Sequence, residues 1–485
     1  MLAIFAGRAP AGDTRAETPM RPNFLVILCD DLGYGDLACY GHATVETERL
    51  DRLANEGVRA THFYSAAPVC SPSRVGLLTG RIPNRLGVYD WIPPAGPEPS
   101  KRGDNRHLVH LRRGEPTIAS LLRGAGYATC IAGKWHCNSR FNHASQPQPS
   151  DAGFDHWFAT SNNANPSHEN PTNFVRNGEE VGPIEGFSCQ LVADEAIGWL
   201  KRQRRGTPDK PFFLYVPFHE THEPVASPAP LVEKYLPRSK NRDEAQYFAN
   251  VHNVDLATGR LLDALDELGL RDNTLVVFTS DNGPETLKRY RRAHRSYGSP
   301  GPLRGMKLWT TEAGCRVPGI FRWPGVLPAG TEPRAVISAL DLLPTFCRLA
   351  GVAPPANVGL DGVDCLPMLT GKTAERGEPL LWCYYNATNG RRVAMRVGEW
   401  KVLARLASAE AVGKRLPKLS NVHPGNYALA TQAQLIDHKL FRVTDDPAER
   451  RDLSADFPDE LDRLKLLLAE SYAELAADSP VWREE

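Results

Sequence analysis

Cys70-Ser71-Pro72-Ser73-Arg74-Val75-Gly76-Leu77-Leu78-Thr79-Gly80-Arg81 is the stretch on which the reading of this chain turns. An isolated cysteine is commonly a small buried hydrophobe. This one is followed by proline, hydroxyls and two arginines, which is poor material for an apolar core. Pro72 fixes a turn and predicts a helix over Arg74 to Thr79. Position 70 then sits at a helix N-terminus, where the dipole and free N–H groups favour an anion. The run reads as a polar site that favours an anion.

Four apolar runs elsewhere end in ionisable residues. Asn23–Cys29 is almost continuously apolar, as expected of a buried strand in a largely parallel sheet, and runs straight into Asp30-Asp31. Thr274–Ser280 runs into Asp281-Asn282-Gly283, Ala128–Ala132 into Gly133-Lys134-Trp135-His136, and Phe212–Phe218 into His219-Glu220-Thr221-His222. In open α/β sheets ligands bind outside the carboxyl ends of the strands, so these four ends predict one shared polar site. Asp30, Asp31, Asp281 and Asn282 bring three carboxylates and a carboxamide, an all-oxygen set suited to calcium first and magnesium second. Zinc is less suited, because the set lacks the His and Cys ligands it favours. Each pair alone reads as a solvated loop or cap; together with the Cys70 run they read as a metal site.

Helical patterns at Glu46–Asn55, Thr117–Arg123, Leu191–Arg202 and Glu244–Leu268 alternate with the strands, which predicts an α/β sandwich. After residue 370 the alternation fades. Short strand signals at Arg392–Val397, Trp400–Leu403 and Lys439–Val443 precede an amphipathic helix over Pro458 to Ala476, with Leu461, Leu464, Leu467 and Leu468 at helical spacing. This predicts a smaller antiparallel sheet carrying a helix. The expected division is a leader or disordered segment at 1–20, a catalytic domain at 21–370 and a C-terminal subdomain at 371–485.

Among 485 residues, Lys plus Arg and Asp plus Glu number 57 each, so nothing suggests nucleic-acid binding. No apolar stretch is long enough to span a bilayer. Leu2–Gly7 is apolar but short for a signal sequence and lacks a basic segment before it, and Met20 is an alternative start. The ten cysteines form no C-x-x-C pair, so they neither require nor exclude an oxidising compartment.

The Cys70 run closely resembles the sulfatase signature C-x-P-S-R-x-x-L-x-T-G-R. The rest of the family's pattern is matched in order: the strand ending in Asp30-Asp31, G-K-W-H at Gly133–His136, T-H-x-P at Thr221–Pro224, S-D-N-G at Ser280–Gly283, and Gly305-Met306-Lys307 ahead of Glu312-Ala313-Gly314. Further on, Gly398-Glu399-Trp400-Lys401 and Asp445-Asp446-Pro447-Ala448-Glu449 are similar to the family's C-terminal segment. The resemblance spans residues 22–370, with this similar tail beyond them. It departs at Cys137, where a hydrophobe is usual, and at Ala313, where glycine is usual.

The resemblance implies an alkaline-phosphatase-like sandwich with a large, mostly parallel central sheet. It also implies a sulfuric ester hydrolase acting on an aryl or carbohydrate sulfate. A maturation enzyme oxidises Cys70 to formylglycine, whose hydrate is the nucleophile; one divalent cation is held by Asp30, Asp31, position 70, Asp281 and Asn282. Arg74 holds the hydrate and balances the carboxylates, while Lys134 and Lys307 bind sulfate oxygens. His136 accepts the proton of the second hydroxyl, and His222 donates to the leaving group or binds sulfate. His219 is expected to be structural or to support the residues of the site from behind. The family favours a periplasmic or secreted location. The basic cluster Lys288-Arg289-Tyr290-Arg291-Arg292-Ala293-His294-Arg295 is either a solvated loop or a specificity loop for a charged glycan. The alternatives are a formylglycine-dependent phosphonate or phosphodiester hydrolase, and a catalytically silent binding protein on the same scaffold.

Overall fold

The computed structural model describes residues 21–95, 105–286, 290–409 and 415–483. The expected leader at 1–20 lies outside them, as do Lys288 and Arg289 of the basic cluster. Among the described residues, nine strands form one sheet. In spatial order they are Val58–Arg59, Gly319–Arg322, Thr274–Ser280, Asn23–Asp30, Phe212–Thr221, Ala128–Lys134, His156–Thr160, Val175–Arg176 and Glu179–Glu180. The five strands from Thr274–Ser280 to His156–Thr160 run parallel, and both edges are antiparallel.

Asn23–Asp30 lies at the centre and is buried along its whole length. Phe24, Val26 and Leu28 enter the core on one face, and Leu25, Ile27 and Cys29 that on the other. A strand covered on both faces has no polar side, which explains its unbroken apolar sequence. Helices Glu48–Asn55, Ser188–Gly206 and Arg242–Glu267 supply the second core; Cys70–Thr79, Ile118–Gly124 and Leu342–Ala350 supply the first. Ile27 pairs with Val216 on one side and Phe278 on the other. That register brings Asp30 beside Thr221 and Cys29 beside Ser280, so the functional ends lie level.

The helix expected from Arg74 begins at Cys70, with Val69 extended before it. Pro72 fits inside its first turn because N–H groups there have no intrahelical acceptor to lose. The strand His156–Thr160 carried no recognised sequence signal. The C-terminal sheet is four-stranded and antiparallel: Leu380–Cys383, Val393–Val397, Trp400–Ala407 and Gln434–Arg442. Helix Pro458–Asp478 packs on it through Leu461, Leu464, Leu468, Tyr472 and Leu475. No helix of the described residues is long and apolar enough to cross a membrane.

Candidate active site

Sheet register delivers the acidic residues to one point. Asp30 ends its strand, and Asp31 follows with a positive φ of 63°, which turns the chain across the neighbouring strand end. There the Asp31 N–H donates to Asp281 Oδ1 at 3.2 Å, and the Asp281 N–H donates to the Cys29 carbonyl at 3.0 Å. Asn282 donates to Asp31 Oδ1 at 2.7 Å. Gly283 has no alternative: a Cβ there would collide with the Ala313 carbonyl oxygen.

Cys70 opens a ten-residue helix that is buried throughout. One turn on, Arg74 is fully buried, with Nε at 2.9 Å and Nη2 at 2.7 Å from Asp281 Oδ2. Its Nη2 lies 3.7 Å from Asp30 Oδ1, and its Nη1 donates to the Lys134 carbonyl at 3.1 Å. Lys134 pairs with Asp30 Oδ2, and Lys307 with Asp31 Oδ2 at 2.7 Å. Three carboxylates thus face three cations inside the protein.

Burial works to raise the Asp30 pKa, but Lys134, then His222, Arg74 and Lys307, outweigh it and hold that carboxyl well below its ordinary range. Asp281 is pushed up to about 7 by burial and by the charge of Asp30, against Arg74. The Cys70 thiol is pushed up to about 12 by burial, against Lys307 and Lys134.

These residues offer a place for a metal ion. One donor atom each from Asp30, Asp31, Cys70 and His222 lies within 4.8 Å of the others. Asp30 Oδ1 and Asn282 Oδ1 are buried with no hydrogen-bond partner, although a buried oxygen normally finds one. Asp30, Asp31 and Asn282 thus bring oxygen donors of the kind a hard cation takes, beside the Cys70 thiol and the His222 ring.

Both expected proton-transfer histidines are oriented. His136 has a φ of 51°, and its Nε2–H donates to the Ile92 carbonyl at 2.9 Å. That leaves Nδ1 buried and unpartnered. Burial, then Lys134 and Arg74, lower its pKa well below the ordinary histidine value, so the ring is neutral. His222 donates from Nδ1 to the Glu223 carbonyl at 2.8 Å, and its Nε2 lies 3.7 Å from Asp31 Oδ2. His219 contacts Thr160 Oγ1 at 2.8 Å and makes a T-shaped contact with the Phe174 ring.

Sequence reasoning missed several neighbours. Glu223 is buried, with both carboxylate oxygens unpartnered and Oε2 3.6 Å from His222 Nδ1; its place inside T-H-x-P was the available signal. Trp91 and Tyr384 pack in the small apolar cluster around Cys70. Tyr384 donates to Asp90 Oδ1 at 2.8 Å, across nearly three hundred residues of chain, with no local pattern to announce it. Of the basic cluster, Arg291 and Arg292 are exposed. Arg295 instead pairs with Asp243 at 3.3 Å and donates to the Val225 carbonyl at 2.6 Å.

The chain and its fold have known counterparts. The family model described as Sulfatase matches residues 22–352, and that of the N-sulphoglucosamine sulphohydrolase C-terminal segment matches 306–409. The chain is 35% identical to N-acetylgalactosamine-6-sulfatase of Sus scrofa, over 99% of this chain and 91% of the relative. It is 36% identical to Homo sapiens arylsulfatase A, over 83% of this chain and 76% of the relative. The solved PsFucS1 sulfatase from Pseudoalteromonas sp. superimposes with a TM-score of 0.74 at 26% identity, covering 96% of this chain and 92% of that one. A match spanning both the central sheet and every strand end that feeds the site leaves one assignment: the chain belongs to the sulfatase family.

Proposed function

We propose that this sulfatase hydrolyses the sulfate ester of a sulfated carbohydrate, with formylglycine formed from Cys70 as its nucleophile. The observation that carries this reading is Cys70 itself, buried at a helix start among three carboxylates and three cations. A divalent cation, calcium first, would be held by Asp30, Asp31, Asp281, Asn282 and position 70, and would supply positive charge for the sulfuryl oxygens and acidify the attacking hydroxyl. The carboxylates and side-chain cations already balance, so such an ion leaves a net positive pocket matched to an anionic ester.

The chain's own groups supply the remaining steps. One hydroxyl of the position 70 hydrate gives up its proton to solvent and attacks sulfur, and the bond from sulfur to the substrate oxygen breaks. Lys134 and Lys307 meet the sulfuryl oxygens, where charge concentrates in the transition state. His222 gives a proton from Nε2 to the departing oxygen, because Nδ1 is committed to the Glu223 carbonyl. His136 Nδ1 then takes the proton of the second hydroxyl; the carbon–oxygen bond to sulfate breaks and the aldehyde returns. Its tautomer suits that task, since Nε2 carries the proton that Ile92 accepts.

Support for a carbohydrate comes from the likeness to N-acetylgalactosamine-6-sulfatase over 99% of the chain. The test is protein made alongside a maturation enzyme, given the sulfate and the phosphate ester of one sugar, with mass spectrometry of the peptide containing Cys70. The aldehyde mass and faster sulfate release are expected. Full activity with an unmodified thiol, or faster phosphate release, refutes the reading.

A further inference from the structure

Three segments singled out in the sequence, Glu312-Ala313-Gly314, Gly398–Lys401 and Asp445–Glu449, have no part in the chemistry above, yet the fold brings them together. Glu312, Lys401 and Glu449 have fully buried side chains. Lys401 Nζ donates to Glu312 Oε1 at 2.9 Å and lies 3.5 Å from Glu449 Oε1. Glu449 Oε2 accepts the Glu312 N–H at 3.0 Å, and the Glu449 carbonyl accepts Arg304 Nη1 at 2.9 Å. Tyr64 donates to Glu312 Oε2 at 2.7 Å.

These contacts grip both ends of one loop. The Ala313 N–H donates to the Arg304 carbonyl at 2.9 Å, closing residues 304–313 on themselves with Lys307 inside the loop. Glu449 touches both closing ends, at Arg304 and Glu312. The far side is tied too: the Thr388 N–H donates to the Leu308 carbonyl at 3.1 Å, and Thr310 Oγ1 donates to the Arg391 carbonyl at 2.8 Å. Leu308 is held at a φ of 67°, which a branched side chain adopts only under constraint. Buried ionic networks contribute little net stability compared with apolar packing, and their best-attested use is to fix one geometry.

We infer that Lys401 and Glu449, from the C-terminal sheet and the segment after it, are positioning residues that hold Lys307 at its working place on the sulfuryl oxygens. This rests on the reading that Lys307 contacts sulfate. Misplacing such a group by about an ångström lowers rate on the order of a hundredfold. The pair can be neutralised together as Lys401→Met/Glu449→Gln, which leaves Glu312 with Arg316 at 3.3 Å and no unmatched buried charge created by the change.

The test is a double-mutant cycle on formylglycine-bearing protein with saturating calcium. In the parent, Lys401→Met/Glu449→Gln lowers kcat/KM roughly thirty- to hundredfold. In a Lys307→Ala background the same pair lowers it by less than about threefold, since the group it positions is gone. Lys401→Arg, which keeps the charge, restores most of the parent rate. Should the paired variant fail to fold, Glu449→Gln alone enters the same cycle. Equal losses in both backgrounds overturn the inference and leave a purely structural network. A Lys307→Ala change without effect instead overturns the sulfate-contact reading of Lys307, and that arm alone identifies it.

Discussion

Replacing Arg74 by Met gives the most direct test of the charge balance at the site. Arg74 is fully buried and makes two contacts below 3 Å to Asp281 Oδ2, with a third to the Lys134 carbonyl. Its loss leaves three buried carboxylates with two cations. Breaking a buried pair by deleting one partner costs about 3–5 kcal/mol. At roughly 2.1 cal/mol/K per residue, a chain of 485 residues has an unfolding entropy near 1 kcal/mol/K, so Tm should fall by roughly 3–5 °C. Scanning calorimetry in a chelator measures this directly. Calcium at about a hundred times its Kd stabilises a folded site by about 2.7 kcal/mol. It should stabilise the variant more than the parent, because the variant's carboxylates lack their own counter-charge. The Tm gap therefore narrows on adding calcium. An unchanged Tm in chelator, or a gap indifferent to calcium, refutes the view that Arg74 and the cation share the work of neutralising Asp30, Asp31 and Asp281.

Arg291→Ala with Arg292→Ala should raise KM about tenfold for a charged glycan sulfate and much less for a small aryl sulfate, two exposed charges each contributing below about 1 kcal/mol; equal losses on both substrates sink the specificity-loop reading. His136→Gln should permit one turnover and then stall, giving a burst of alcohol and an intact sulfuryl adduct on the peptide containing position 70 by mass spectrometry; steady turnover without adduct contradicts its role as the second base. Asp255 caps helix Glu48–Asn55 by accepting the Leu50 N–H at 2.8 Å, and burial raises its carboxyl to about 7. Between its ordinary value near 3.8 and 7 the folded state holds a proton the unfolded state has lost, so this group's stability contribution falls as pH rises through that window. Asp255→Asn should remove that slope, read as the parent-minus-variant difference in denaturation midpoint at pH 4, 5.5 and 7.

Much of the architecture was legible because a strand covered on both faces leaves an unmistakable run. Asn23–Cys29 and Thr274–Ser280 were bounded almost to the residue for that reason. Phe212–Phe218 was read short because His219, Glu220 and Thr221 are polar, yet the strand continues through them to bring them to the site. His156–Thr160 escaped because five residues, partly aromatic, carry no distinguishing period. At the site, donor atoms of Asp30, Asp31, Cys70 and His222 lie within 4.8 Å of one another. What sequence could not give is who faces whom: Tyr384 beside Cys70, Glu223 against His222, or Arg295 spent on Asp243 instead of facing solvent. Those pairings are decided by the packing of distant elements, and no local spacing encodes them.

The central position of Asn23–Asp30 has a consequence for how the protein reaches its working form. The strand is made well before its two neighbours, residues 212–221 and 274–280. Until both have emerged, its six-residue apolar run Phe24–Cys29 has nothing to pair with and is open to wrong partners. Contacts spanning some 190 and 250 residues also close slowly, since the entropy of joining distant segments precedes any reward. No partial assembly carries the three carboxylates together. Catalytic turnover is then a reporter of completed folding, and slow-folding variants should show up first as inactive, aggregation-prone chains and only later as altered kinetics.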